Sequence, residues 1–419
     1  QSKPNSPYTI FGLGTPVKEG FVNSFSMGGV NRYMFDNYII NPYNPATYTY
    51  LESTTFDMGL HYVRFNTEGE NAAQTTDNAG LRYFGLGFPI ADRWGWAMGI
   101  VPHTEVGYEF SRTAQVDGMN STSTYSGEGG LNKVYGGLGF EAIKDTNTTL
   151  SIGANFLYFF GPTQSMTRVS YDDGGAGTYS SVIEEGLNAS DVNFDLGVHF
   201  RQDLTKALAK KRSKRIYFNF GASGMMPTTL KTRRRTGAYS SFSTPKDFVR
   251  NREDTIGMTL PFEAGGGFSF EFVDINKKSR FILGANFEYT NWSEFAVDDR
   301  NAGLNNSYTA SLGMQYSPNE RAIRGLLEIM RYRAGLRYTS THVRLNNESI
   351  TDYGMSFGLS IPLIASKSVT STSTTINLGA EFGIRGDNAV ISEQYSKFIF
   401  GVSLTPSFWD EWFKRKKID

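Results

Sequence analysis

Ser279-Arg280-Phe281-Ile282-Leu283-Gly284-Ala285-Asn286-Phe287-Glu288-Tyr289-Thr290 is the stretch whose reading decides the fold. Phe281, Leu283, Ala285, Phe287 and Tyr289 recur at every second position, with Gly284, Asn286, Glu288 and Thr290 between them. Successive strand residues point to opposite faces, so this segment has one wide dry face and one small or polar face. The same split recurs at Ile376, Leu378, Ala380, Phe382 and Ile384, and again at Tyr353, Met355, Phe357, Leu359 and Ile361. Segments 152–160, 216–222 and 398–404 repeat it. A soluble sandwich would set Lys, Glu and Thr on its solvent face. Gly, Ser and Asn opposite an aromatic face is the repeat of a strand with lipid on one side and a wet lumen on the other.

Counting such segments outward gives strands at 54–65, 81–91, 94–108, 130–143, 147–161, 189–204, 214–226, 258–273, 279–293, 306–316, 330–340, 351–362, 374–386 and 397–405. The expected fold class is all-β: a 14-stranded antiparallel transmembrane β-barrel, even-numbered as single-chain bacterial barrels are. Long connectors are expected at 66–80, 109–129, 162–188 and 227–257. Tight turns are expected at Asp92-Arg93, Asp145-Thr146-Asn147 and Asp274-Ile275-Asn276. Long outside and short in the periplasm is the barrel rule. In the last third 317–329 and 363–373 are long for periplasmic turns, and Glu320–Met330 reads as a helical turn. Tyr158, Phe160, Tyr289, Trp292, Tyr338 and Tyr353, near strand ends, suit interfacial girdles.

Composition agrees. Aromatics make up 14% of 419 residues and the formal net charge is zero, which excludes a bulk polyelectrolyte partner such as nucleic acid. Mean hydropathy is negative, and no window reaches the ~18 consecutive apolar residues of a membrane helix. Cysteine is absent, so disulfides and thiolate metal sites are excluded. Gln1 with the polar stretch after it reads as a mature end left by signal cleavage.

Upstream of the first strand, Phe11-Gly12-Leu13-Gly14, Met27-Gly28-Gly29 and Asn41-Pro42-Tyr43-Asn44-Pro45-Ala46 are too apolar for a tail and too broken for a strand. The expected organisation is a hatch at 1–53 inside the lumen, a barrel at 54–406 and a periplasmic tail at 407–419.

Gly28-Gly29 with Asn44-Pro45-Ala46 ahead of the first strand, Phe88–Trp96, Leu260-Pro261 and Thr290-Asn291-Trp292-Ser293-Glu294-Phe295 form an ordered set. With it the chain resembles the FadL/TodX-like outer-membrane barrels, the family of long-chain fatty acid and hydrocarbon transporters. The resemblance implies 14 strands, a lumenal hatch and passive uptake of a hydrophobic molecule, with no cofactor. It also implies a kink in the third strand that opens the wall sideways. Pro102 stands where such a kink belongs, and Asn44, Pro45 and Ala46 are expected beside it as lateral gate and hatch. Proline inside a strand removes a ladder donor. One departure is the tail: Trp409, Trp412, Phe413, Lys414 and Arg415 are similar to the aromatic-basic end of Bacteroidetes-type relatives such as PorV of the type IX secretion system. That implies a second reading, an accessory barrel of a larger outer-membrane complex such as the type IX translocon, docked through this tail.

Arg331, Arg333 and Arg337 share a face opposite Tyr332, Ala334, Leu336 and Tyr338. That face is the lumen, since a cation against lipid at mid-depth costs about 2–4 kcal/mol. The ladder could hold a carboxylate, but pairing with Glu288, Glu381 or the hatch accounts for it more simply. Basic runs at 210–215, 231–235 and 414–417 read as solvated turns, the outer run also as a grip on lipopolysaccharide phosphates. His61, His103, His199 and His342 are far apart, so no metal site or catalytic set is expected, and the chain reads as a non-enzyme.

Overall fold

The computed structural model describes residues 6–69, 73–116, 119–172, 178–209, 213–240, 247–320, 325–345, 348–364, 373–387 and 391–405. Fourteen antiparallel strands form the wall. They are β1 (Thr55–Gly69), β2 (Ala73–Ala91), β3 (Trp94–Pro102 and Thr104–Val116), β4 (Met119–Gly129 and Asn132–Lys144) and β5 (Thr148–Asp172). Next come β6 (Thr178–Asp203), β7 (Lys214–Met225 and Thr228–Ser240), β8 (Asp247–Leu260 and Glu263–Asp274), β9 (Ser279–Thr290) and β10 (Ser307–Ser317). The last are β11 (Arg331–Leu345), β12 (Glu348–Ile364), β13 (Ser373–Asp387) and β14 (Ile391–Thr405). β14 pairs back onto β1 from Phe56↔Leu404 to Gly69↔Ile391, which closes the ring.

The dry faces point outward. Phe287, Leu312, Leu336, Phe357, Phe382 and Phe400 stand exposed, and every wall strand adds to the band. Soluble monomers seldom expose contiguous apolar patches beyond about 300–600 Å². A continuous girdle is the mark of a bilayer-spanning barrel, and with closed antiparallel strands it places the chain in the bacterial outer membrane.

Two expectations are corrected. The long connectors are strands rather than loops: β5 runs for 25 residues and β6 for 26, where a membrane strand needs about 9–11. Above the bilayer both faces are wet, so the apolar alternation vanishes while the hydrogen-bonded ladder continues. Trp292 is no girdle residue. It is 1% exposed and stacks on His342 with ring centroids 4.6 Å apart. The expected helical turn in 320–330 is present as Leu326–Ile329.

Four wall strands break, at 103 in β3, 130–131 in β4, 226–227 in β7 and 261–262 in β8. Pro102, Pro227 and Pro261 mark three of these breaks because proline brings no N–H to the ladder.

Residues 6–51 pack against the inward faces of the wall strands, most of them buried. Their backbone touches the wall so closely that side chains must be absent there. A Cβ on Gly335 would sit 2.1 Å from the carbonyl carbon of Met27. The Gly residues of the polar faces thus make room for the N-terminal segment.

Candidate functional site: the lumen and the break in the third strand

The ladder between β2 and β3 runs from Ala91↔Trp94 to Phe84↔Ile100 and stops. Above Pro102 the second half of β3 pairs with β4 on one side. On its other side it meets the N-terminal segment instead of β2. Thr15 and Pro16 pair with Glu105 and Thr104. The Val17 N–H donates to the His103 carbonyl at 2.9 Å, and the Ser6 N–H to the Gly107 carbonyl at 2.9 Å. Gly14 makes this approach possible. Its φ is +85°, and a Cβ there would lie 2.2 Å from the Glu105 carbonyl oxygen.

One side chain crosses the interrupted wall. Register shifts between Gly59 and Leu60 opposite β2, leaving Arg82 as a bulge residue aimed inward. Its guanidinium binds Glu105 on β3 at 3.1 Å and Glu19 of the N-terminal segment at 2.8 Å. Glu19 also binds Lys397 on β14 at 2.8 Å. Burial alone would raise the Glu19 carboxyl, but the Lys397 ammonium and Arg82 guanidinium outweigh it and hold it well below the usual range.

The lumen has two sides. Around β11 to β14 it is ionic. Arg337 binds Glu381 at 2.8 Å and Asp352 at 3.5 Å, and Arg385 binds Asp352 at 3.1 Å. Across β3 to β8 an apolar cluster lies beside buried polar groups such as Lys133, Asn155 and Asp195. Val101, Leu131, Phe159, Leu230 and Leu260 point inward and join one continuous cluster with Leu13, Trp292, Phe295 and Leu304. From the outer 291–306 connector that cluster reaches the break, where His103 lies edge-on to Phe159 with centroids 5.0 Å apart, and runs on past it through Tyr135, Tyr83, Ile40 and Tyr48.

The residues singled out from sequence fall as follows. Pro102 is the last residue before the break. Asn44, Pro45 and Ala46 are not beside it. They start a 3-10 turn near the periplasmic ends of β4 to β6, with Asn44 Nδ2 donating to the Val198 carbonyl at 3.0 Å. A Cβ on Gly153 would lie 2.4 Å from the Pro45 carbonyl carbon. The neighbours of the break are instead residues 6–17, a placement set by contacts far apart in sequence. Arg331 binds Asp36 of the N-terminal segment at 2.7 Å, and Glu288 binds Arg32 at 3.1 Å. Arg333 bonds to Gln315 and Ser360.

In the outer run Arg234 binds Asp254 at 2.8 Å and Asp298 at 3.1 Å. Residues 210–212 and the tail with Trp409, Trp412, Phe413, Lys414 and Arg415 lie outside the described residues. His61 has no partner on either ring nitrogen, whereas His199 contacts Tyr50 and the Tyr33 carbonyl. No group of three metal-ligating side chains occurs among the described residues. Sequence reasoning missed Arg82 and Glu19, which carry no local signal, and the inward apolar residues, which pattern alone assigns to neither face.

Residues 1–419 match the BamG family. The chain belongs to the BamG family. Among curated proteins none matches it in sequence. Solved structures share its architecture. The Pseudomonas putida toluene transporter TodX superposes with a TM-score of 0.57 at 14% identity, covering 96% of this chain and 100% of that one. A Pseudomonas aeruginosa FadL homologue gives 0.57 at 12% identity, covering 95% and 99%. The Ralstonia pickettii toluene transporter TbuX gives 0.54 at 14% identity, covering 93% and 99%. This BamG-family chain therefore has the FadL-type barrel fold.

Proposed function

We propose that this barrel is a passive outer-membrane channel for small hydrophobic molecules, long-chain fatty acids included. The observation that carries the reading is the inward apolar cluster leading from the outer connector to the break in β3. A ligand enters among the outer hairpins, moves along Leu131, Phe159 and Trp292, and leaves into the bilayer between β2 and β3 once residues 6–17 swing aside. Each Å² of apolar surface it buries contributes about 25 cal/mol, so affinity needs no charged anchor. No chemistry on the ligand is part of the proposal. Proteins of similar fold, two toluene transporters among them, are consistent with it.

A disulfide across the break tests the exit. Thr9→Cys with Gly107→Cys joins positions already hydrogen-bonded, the Gly107 N–H donating to Thr9 Oγ1 at 3.1 Å. Oxidation is expected to stop uptake of labelled oleate or toluene into proteoliposomes, and reductant to restore it. Equal uptake in the oxidised and reduced forms would rule out this exit.

One observation favours a second reading, an accessory barrel in a larger outer-membrane complex such as the type IX translocon. The apolar cluster is filled by its own side chains, with Phe159 and Trp292 at 0% and 1% exposed, and the ionic side is knitted shut. In that reading nothing passes, and the tail at 407–419 docks a partner chain.

A further inference from the structure

Arg333 is a buried cation without an anion. Its side chain is 4% exposed, and its Nε donates to the Gln315 amide oxygen at 2.7 Å. One terminal nitrogen donates to the Ser360 hydroxyl. Both partners are neutral. The other terminal nitrogen, Nη2, has no hydrogen-bond partner, and among the described residues no carboxylate comes within salt-bridge distance. Arg331 and Arg337 on the same strand each hold a carboxylate at 2.7 and 2.8 Å, so Arg333 is the exception on its own face.

The guanidinium lines a cavity of about 30 Å³ between the N-terminal segment and β7 to β11. Tyr33 lines it too, 3% exposed, with a hydroxyl that also has no partner. Two carboxylates, Asp36 and Glu271, border the same space, but both are already bound. Asp36 holds Arg331 at 2.7 Å, and Glu271 holds Arg280 at 2.8 Å and Arg201 at 3.2 Å. Arg280 reaches Glu320 at 3.8 Å as well. Each carboxylate bordering the cavity is thus held by another arginine, and Arg333 is left without one.

We propose that this cavity binds a single small monovalent anion of halide size, held by Arg333 Nη2 and the Tyr33 hydroxyl. About 10–15 Å³ of such space already holds one water, so the cavity has room for an ion of halide size. A water would satisfy the orphan donors without neutralising the charge, and an unpaired charge out of contact with solvent is the costlier of the two defects. The anion ties the N-terminal segment at Tyr33 to the wall at β11. The inference does not depend on whether the barrel passes ligands.

Crystals grown with bromide in place of chloride at physiological salt test it. An anomalous peak is expected beside Arg333 and Tyr33 in the wild-type protein, absent from Arg333→Gln and weakened in Tyr33→Phe. The wild-type barrel is expected to melt at a higher temperature in chloride than in gluconate at equal ionic strength, and Arg333→Gln to show no such difference. Should Arg333→Gln fail to fold, Tyr33→Phe and the wild-type anion dependence decide. No peak at the site in wild-type crystals, a peak that persists in Arg333→Gln, or identical melting in both salts would overturn the assignment.

Discussion

Replacing Gly335 with valine is expected to push the N-terminal segment off the wall. The added Cβ would lie 2.1 Å from the Met27 carbonyl carbon and 2.2 Å from the Gly28 nitrogen, both backbone atoms that cannot rotate away. Overpacking of flexible side chains costs about 1–3 kcal/mol, and a backbone clash belongs at the top of that range or above it. Relief by displacement breaks the bond from the Gly28 N–H to Ser356 Oγ at 2.7 Å. It also moves Arg32, which binds Glu288 from the same segment. The wall needs no change, since Gly335 keeps its ladder partners Gly313 and Ser356. Trypsin digestion of the folded variant is expected to cut at Lys18 and Arg32, which the wild type protects. Cells carrying it are expected to become sensitive to large antibiotics. An unchanged digestion pattern would mean that the segment packs elsewhere.

The second large effect belongs to Glu19. Changing it to alanine removes one partner from Arg82 and one from Lys397, while Glu105 still holds Arg82 at 3.1 Å and Glu381 lies 3.6 Å from Lys397. Breaking a buried pair typically costs about 3–5 kcal/mol because the remaining charge is stranded. The surviving contacts put the expected loss near the lower end, about 3 kcal/mol, read as a lower midpoint of heat-induced barrel unfolding. Because Arg82 spans the interrupted wall, the variant is also expected to exchange the amide hydrogens of Thr15 and Val17 faster. Slowed or unchanged exchange there would separate the ion pairs from the closure of the break.

How much of this could be read from the chain alone depends on what each face touches. β9, β12 and β13 were legible residue by residue because lipid on one side and the N-terminal segment on the other demand opposite chemistry at alternate positions. The upper halves of β5 and β6 were not, because in 163–170 and 181–187 polar side chains fall at both odd and even positions and no apolar periodicity survives. Trp292 and Tyr353 look alike in sequence, yet one is 1% and the other 56% exposed. What separates them is the fold of the 291–306 connector into the lumen. Pro102 could be placed because proline's lack of an N–H is a local fact. The occupant of the gap above it could not, since residues 6–17 reach β3 only through closure of the whole ring. The pairing of Glu19 with Lys397, 378 residues apart, has the same origin. The tail at 407–419 was read from composition, and its role stays with the accessory-barrel proposal.

The central claim is that the apolar cluster behind the third strand is a route for hydrophobic molecules. A crystal structure of the protein grown with an iodinated long-chain alkane puts it to the most direct test. The account predicts anomalous density among Leu131, Phe159 and Trp292, with the side chains there turned aside and residues 6–17 loosened from β3. The same cluster still closed on itself, with iodine only on the outer apolar band, would contradict it.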